Sequence, residues 1–161
     1  MPDVLIGYVA LRRGVRAGLI VAVLAALGAS VGGAAMYLWS VRAPEQALAA
    51  VEAVPAVSSA MVEAASADMT SDGWFVAALK GPLTSTPYKV YAALAPSHGA
   101  SLPAFAAAGA PVRLPRFVGV AVVMALIGAA LKGRVPDRAV IAVFTAGWVL
   151  FYGWFWLAHP G

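Results

Sequence analysis

Long runs of uncharged residues, separated by short charged stretches, dominate the pattern of this chain. Residues 17–41 form a run of 25 and residues 139–158 a run of 20. A membrane-spanning helix needs about 20 consecutive apolar residues. A third run, 117–131, has only 15 residues, but cations at its ends can reach the bilayer surface. The pattern therefore predicts three transmembrane helices, the first with Tyr37 and Trp39 in an interfacial aromatic belt.

Two further apolar regions are too short or too interrupted to span a bilayer. Residues 1–12 are long enough to cross only about half of a bilayer as a helix. Residues 73–112 contain the polar stretch GPLTSTPYK at 81–89, which carries Pro82 and Pro87. We interpret the polar stretch as the turn between two half-helices. Irregular backbone at membrane depth needs protein or a water-filled cavity beside it, so both regions are predicted to be re-entrant or interfacial.

The region between the first span and this hairpin has a different composition. Residues 43–72 are rich in Ala and Val and hold five acidic residues but no basic one. Leu48, Val51, Val54 and Val62 recur at roughly helical spacing. We predict an amphipathic helical linker at the membrane surface, broken near Pro55.

Composition and charge narrow the class of protein. Hydrophobic residues make up 62% of the chain and charged residues 11%, whereas a soluble domain is about half apolar and a quarter charged. The chain has no cysteine, which excludes disulfides and thiolate metal sites. The basic residues stand at the ends of apolar segments, unlike the basic stripe of a nucleic-acid-binding protein. We therefore expect residues 1–161 to form a single membrane domain, an all-α integral membrane protein with three transmembrane helices plus two short re-entrant or interfacial segments.

No catalytic or metal-binding arrangement is visible in the sequence. His98 and His159 are isolated from other ligand-type residues, and neither a Ser/His/Asp set nor a glycine-rich phosphate loop is present. We expect no enzyme activity, no metal and no cofactor. Small residues at Gly28, Gly32 and Gly33 predict close helix packing. Packing within the chain is favoured over a homodimer face.

A few charges near the apolar segments are candidates for a site. Lys80, Lys89, Arg113 and Arg116 have no nearby acid in sequence, so they either bind an anionic head group or snorkel to lipid. Asp3 is either a functional carboxylate within the membrane or a solvated residue near the start of the chain. From the residues alone, both alternatives stay open for each cation, whereas the position of Asp3 favours the solvated residue.

Several stretches in order resemble the DedA family of membrane proteins, also called SNARE-associated or VTT-domain proteins. Residues 1–11 (MPDVLIGYVAL) resemble the family's re-entrant element, with Asp3 on its acidic position. Residues 27–37 (LGASVGGAAMY) are similar to its LGS-x-x-GG…Y helix. Residues 86–91 (TPYKVY) are similar to its PYKVF segment, and residues 113–117 (RLPRF) to its GR-x-x-RF pair.

The resemblance implies a membrane lipid translocase of the bacterial inner membrane. Such proteins move polyprenyl phosphate or phospholipid, with proton coupling proposed for the bacterial members, and their partner is a lipid with an anionic head group. The lipid-phosphate-binding residues would be Lys89, Arg113, Arg116 and Lys80. Asp3 would pair with one of these cations and exchange a proton, while Pro82, Pro87 and Tyr88 would shape the hairpin. The alternative is a non-transporting assembly factor or an accessory subunit that binds another membrane protein.

Overall fold

The structure is a computed structural model that describes residues 2–55, 57–84 and 86–158. These residues are helical throughout, with turns between the helices and no strand. In chain order the helices are α1 (Pro2–Arg13), α2 (Val15–Arg42), α3 (Pro44–Glu52), α4 (Ser59–Asp72), α5 (Trp74–Thr84), α6 (Tyr88–Leu94), a 3-10 turn (Ala95–His98), α7 (Leu102–Leu131) and α8 (Asp137–Ala158).

Three of these helices are long and apolar enough to cross a membrane: α2, α7, and α8 over Asp137–Phe155. Their sequences are apolar on all sides, and most of their large apolar side chains are exposed, among them Leu24, Val31, Leu126 and Leu150. A helix that is apolar all round and not covered by protein is stable only in lipid. The prediction of three helices long and apolar enough to span a membrane is confirmed.

Helix α7 is twice as long as the sequence pattern predicts. The predicted start at residue 117 is wrong, because the helix begins at Leu102 and runs for 30 residues. Pro103 lies in the first turn, where its missing N–H is not needed. Pro111 and Pro115 lie inside the helix, as membrane helices permit when neighbouring groups satisfy the freed carbonyls. Residues 102–112 therefore belong to this helix and not to the hairpin region.

The predicted pair of half-helices corresponds to α5 and α6. Pro87 precedes α6 with an extended backbone (φ −62°, ψ 136°), so it ends the turn as the pattern implies. The turn is shorter than predicted, because α5 continues through Pro82 to Thr84. Position 85 and the side chain of Pro82 lie outside the described residues. Re-entrance into a membrane remains a prediction for both this hairpin and α1.

The acidic linker forms α3 and α4, with the break at 53–58 that Pro55 predicts. Ser58 caps α4 by accepting a hydrogen bond from the Met61 backbone N–H at 3.2 Å. Val51 and Val62 are buried, as their spacing predicts, and Met69 joins them. These side chains pack in one hydrophobic core with residues of α6. The linker is therefore part of a folded core, and its position at a membrane surface remains a prediction.

The chain divides into two compact units. The described residues up to Ala25, together with those from Leu114 onward, form the first unit, and Ala26–Arg113 form the second. In the second unit Tyr37 is buried and donates a hydrogen bond to the Ala100 carbonyl at 2.7 Å. Ser40 donates to the Ala93 carbonyl at 2.5 Å. Tyr37 thus links α2 to the loop that precedes α7. Its side chain is covered by protein, so its predicted place in an interfacial belt is wrong.

Small residues bring the helices of the first unit together. A Cβ on Gly128 of α7 would lie 2.2 Å from the Leu11 carbonyl oxygen of α1. A Cβ on Gly18 of α2 would lie 2.6 Å from the Ala10 Cβ. Such backbone approach is how membrane helices associate where lipid offers no hydrophobic driving force between them. The sequence analysis did not single out these two glycines.

The predicted packing glycines of α2 behave differently from one another. A Cβ on Gly33 would lie 2.7 Å from Tyr88 Cε1, so this position packs within the chain as expected. A Cβ on Gly28 or Gly32 would meet no described atom within 4 Å. The expectation of intrachain packing is therefore wrong for Gly28 and Gly32, because they lie on an open side of the helix.

Candidate functional site

An ion pair joins α1 to α7 in the first unit. Arg116 donates a hydrogen bond from its Nη2 to Asp3 Oδ2 at 3.0 Å. The Asp3 side chain is 12% exposed and that of Arg116 52% exposed. Asp3 Oδ1 is buried and has no hydrogen-bond partner among the described residues. The carboxylate is thus shielded while half of its guanidinium partner stays accessible.

Local structure places Asp3 for this contact. Helix α1 begins at Pro2, whose fixed φ suits the first position of a helix. Asp3 then stands in the first turn, where the helix dipole favours a negative charge. Tyr152 of α8 lies near enough for the charges of both Asp3 and Arg116 to act on its phenol. Three helices of the first unit therefore contribute to one polar cluster.

A second group surrounds Tyr88 in the other unit. The Tyr88 ring stacks on Phe105 with centroids 5.4 Å apart, and the Arg113 Cζ lies 5.3 Å from the Tyr88 ring centroid. A guanidinium at this distance is attracted to the negative face of the ring. The Tyr88 hydroxyl is buried without a described partner, and burial raises the pKa of Tyr88 to about 12. The hydroxyl therefore stays protonated at neutral pH.

The two lysines of the hairpin have opposite environments. Lys80 donates to Asp72 at 2.5 Å, and this hydrogen bond with its charge attraction raises the pKa of Lys80. Partial burial lowers the pKa of Lys89 because the charged form loses hydration. Lys80 is thus engaged with an acid of the linker that the sequence analysis did not consider as its partner.

We expect Lys89 to react with an amine acylating reagent at lower pH than Lys80, because a lower pKa exposes the neutral amine earlier. Labelling across a pH series, with mass spectrometry of peptides that separate the two lysines, measures the pH of half-reaction for each. Asp72→Asn removes the partner of Lys80 and should lower the half-reaction pH of that lysine alone. Superimposable curves for the two lysines in the unmodified protein would contradict their assigned environments.

The predicted cations are distributed over both units. Arg116 lies with Asp3 in the first unit, whereas Lys80, Lys89 and Arg113 lie in the second. Asp3 pairs with one of the predicted cations, as the resemblance implies. The sequence analysis missed Tyr152, because its aromatic neighbours gave it no distinguishing signal.

The described histidine is held by local hydrogen bonds. His98 Nδ1 lies 2.9 Å from the Leu94 carbonyl oxygen, which only accepts, so this nitrogen carries the proton. Nε2 then accepts from the Ser66 hydroxyl at 3.2 Å. This arrangement ties α4 to the end of α6. Among the described residues, no three His, Cys, Asp or Glu side chains lie together as a metal site would require.

No family model matches the chain, and neither a curated protein nor a solved structure matches it.

Proposed function

We propose that this protein is a lipid translocase that moves an anionic lipid, a polyprenyl phosphate or a phospholipid, across the bacterial inner membrane. Two kinds of support exist. One is the resemblance of its sequence stretches to the DedA family. The other is the physical character of the chain, which has three helices fit to span a membrane and charged groups packed among them.

The observation that carries the proposal is the Asp3–Arg116 ion pair. Asp3 is almost entirely buried, and Arg116 lies within a helix that can span a membrane. Ionisable groups are costly in a bilayer, so a chain that retains a pair there has a use for it. Snorkelling explains an arginine at a helix end, but it does not explain why a buried carboxylate faces Arg116.

The Asp3–Arg116 pair could take part in transport if Arg116 exchanged the carboxylate for a lipid phosphate. The planar guanidinium of Arg116 binds two oxygens side by side, whether they belong to a carboxylate or to a phosphate. While Asp3 is ionised, it competes with a lipid phosphate for these donors. When Asp3 takes a proton its negative charge is lost, and Arg116 becomes available to the phosphate. Lipid binding would thus be linked to proton uptake at Asp3.

The second unit holds its own candidate phosphate contacts. Arg113 lies over the Tyr88 ring, which helps to hold its guanidinium in place. Lys89 is partly buried, and an incoming phosphate would compensate for the hydration that its charged form loses. Lys80 already has Asp72 as partner. We therefore rank Lys80 below Lys89 as a lipid contact.

The test is lipid movement in proteoliposomes that contain the full chain. Fluorescent polyprenyl phosphate and phosphatidylglycerol are placed in one leaflet, and loss of signal to a membrane-impermeant quencher measures their transfer. Wild type should accelerate at least one of the two lipids above empty liposomes. Arg116→Ala should remove that acceleration, because the phosphate loses its bidentate partner. Arg16→Ala, which removes an exposed cation at the start of α2, should leave it intact.

The role of the Asp3 charge is read in the same assay. Asp3→Asn should raise transfer above that of wild type, because the amide competes less than the carboxylate with a lipid phosphate for Arg116. A well-folded wild type that moves neither lipid would contradict the translocase and favour the non-transporting accessory protein.

A further inference from the structure

A cavity lies at the ends of the helices of the first unit, remote from the Asp3–Arg116 pair. Its volume is about 420 Å³, within the range of about 300–1,000 Å³ typical of ligand pockets. Along α1, Arg12 of the cavity is nine residues from Asp3, or about 14 Å at the helical rise. The cavity is therefore separate from the proposed transport site.

The cavity wall holds both charged and apolar residues. Its charged residues are Arg12, Arg13, Lys132 and Asp137. Arg12 and Asp137 neutralise each other in an ion pair of 2.7 Å. Among the described residues, no acid pairs with Arg13 or Lys132. These two cations therefore leave an uncompensated positive charge in the wall.

The backbone brings these charges together from distant parts of the sequence. α1 ends at Arg13, and Gly14 with φ +83° turns the chain into α2. α7 ends at Leu131, and Gly133 with φ +77° turns the chain toward α8. Both turns need a left-handed residue, which glycine adopts without strain. The first turn follows Arg12 and Arg13, the second contains Lys132, and all three side chains line the same cavity.

We propose that this basic cavity binds the phosphate head group of an anionic phospholipid. Arg13 and Lys132 match the charge of a phosphate. The apolar residues of the wall, among them Leu11, Ala125 and Val140, suit the start of an acyl chain and give a free phosphate nothing to contact. The position at the ends of the spanning helices is the level at which lipid head groups lie.

The charge distribution also fits an anionic leaflet. Arg12 and Arg13 end α1, and Lys132 lies in the turn after α7. The positive-inside rule favours the cytoplasmic side for short basic stretches of this kind. Anionic lipids give that surface its negative potential, and each nearby Lys or Arg adds to the attraction. The site serves to anchor the first unit to a lipid of this leaflet, and it does not depend on the proposed transport activity.

The test compares lipid binding by two variants of equal charge. Arg13→Gln with Lys132→Gln removes the unpaired cations of the cavity and leaves the Arg12–Asp137 pair in place. Arg16→Gln with Arg138→Gln removes two exposed cations that do not line it. Delipidated full-length protein in neutral detergent is titrated with phosphatidylglycerol, with phosphatidylcholine and with inorganic phosphate. The thermal midpoint reports binding, because a ligand of the folded state stabilises it.

We expect phosphatidylglycerol to raise the midpoint of wild type, and phosphatidylcholine and inorganic phosphate to do so far less. The cavity variant should bind phosphatidylglycerol about thirtyfold more weakly, the effect of removing two cations near an anionic lipid. The control variant should bind it as wild type does. Both proteins should melt alike without lipid, since the replaced side chains are exposed. Equal weakening of phosphatidylglycerol binding in the cavity and control variants would overturn the site. Binding of phosphatidylcholine as strong as that of phosphatidylglycerol would overturn it too. Binding of inorganic phosphate as strong as that of phosphatidylglycerol would show that the ligand is not a lipid.

Discussion

Replacing Gly128 with alanine is expected to destabilise the first unit by about 3 kcal/mol. The new Cβ would lie 2.2 Å from the Leu11 carbonyl oxygen, with the carbonyl carbon at 3.0 Å and Cα at 3.2 Å. All three atoms belong to the backbone, so no side chain can turn aside to make room. α1 and α7 would have to separate, which would weaken packing along both helices.

The matched control lies on the same helix. A Cβ on Gly119 meets no described atom within 4 Å, so Gly119→Ala should melt at or slightly above the wild-type temperature, because alanine favours a helix over glycine. Melting of the purified chain in detergent, followed by tryptophan fluorescence, compares the variants. Equal midpoints for Gly128→Ala and Gly119→Ala would show that α1 does not approach α7 at Leu11.

Loss of the Arg116 guanidinium is expected to cost about 1–3 kcal/mol of stability, apart from its effect on transport. Arg116→Ala leaves the Asp3 carboxylate, 12% exposed, without its partner. A shielded charge without a partner is more costly than a shielded pair, and most of the loss is the hydration that the carboxylate cannot recover. The cost stays below that of a fully buried pair because half of Arg116 is exposed.

A second substitution separates the lost pair from lost packing. Asp3→Asn removes the charge while keeping the shape, so adding it to Arg116→Ala should restore part of the stability. The four proteins form a double-mutant cycle, and melting of each gives the coupling between the two side chains. A double variant no more stable than Arg116→Ala would show that Asp3 does not depend on Arg116 for its charge.

The spanning helices could be predicted because the thickness of a bilayer sets a minimum length of apolar sequence, which can be counted along the chain. Twenty consecutive apolar residues are long enough to cross it, whatever they pack against, and α2 and α8 follow this rule within two or three residues. The same pattern underestimated α7, because Arg113 and Arg116 interrupt the apolar sequence and the uncharged run begins only after them. Within the packed helices of a membrane protein, Pro111 and Pro115 remain inside one helix.

The candidate site could be predicted only as a set of charges. Asp3 and Arg116 are 113 residues apart in the chain, and nothing in their sequence neighbourhoods says that they pair. The resemblance assigned Asp3 a cationic partner, but Lys89 and Arg113 were equal candidates. The contact of Lys80 with Asp72 was outside the prediction, since it requires α4 and α5 to fold back on each other.

The sequence by itself determined the helical class of this protein, the presence of helices apolar enough to span a membrane, the lengths of two of them and the break in its acidic linker. These properties follow from composition and local spacing, which a chain carries before it folds. Tertiary structure decided which of the neighbouring glycines Gly32 and Gly33 is packed, that Tyr37 is buried, and which acid each cation meets. Such choices depend on distances between helices that are remote in sequence, and local patterns carry no information about those distances.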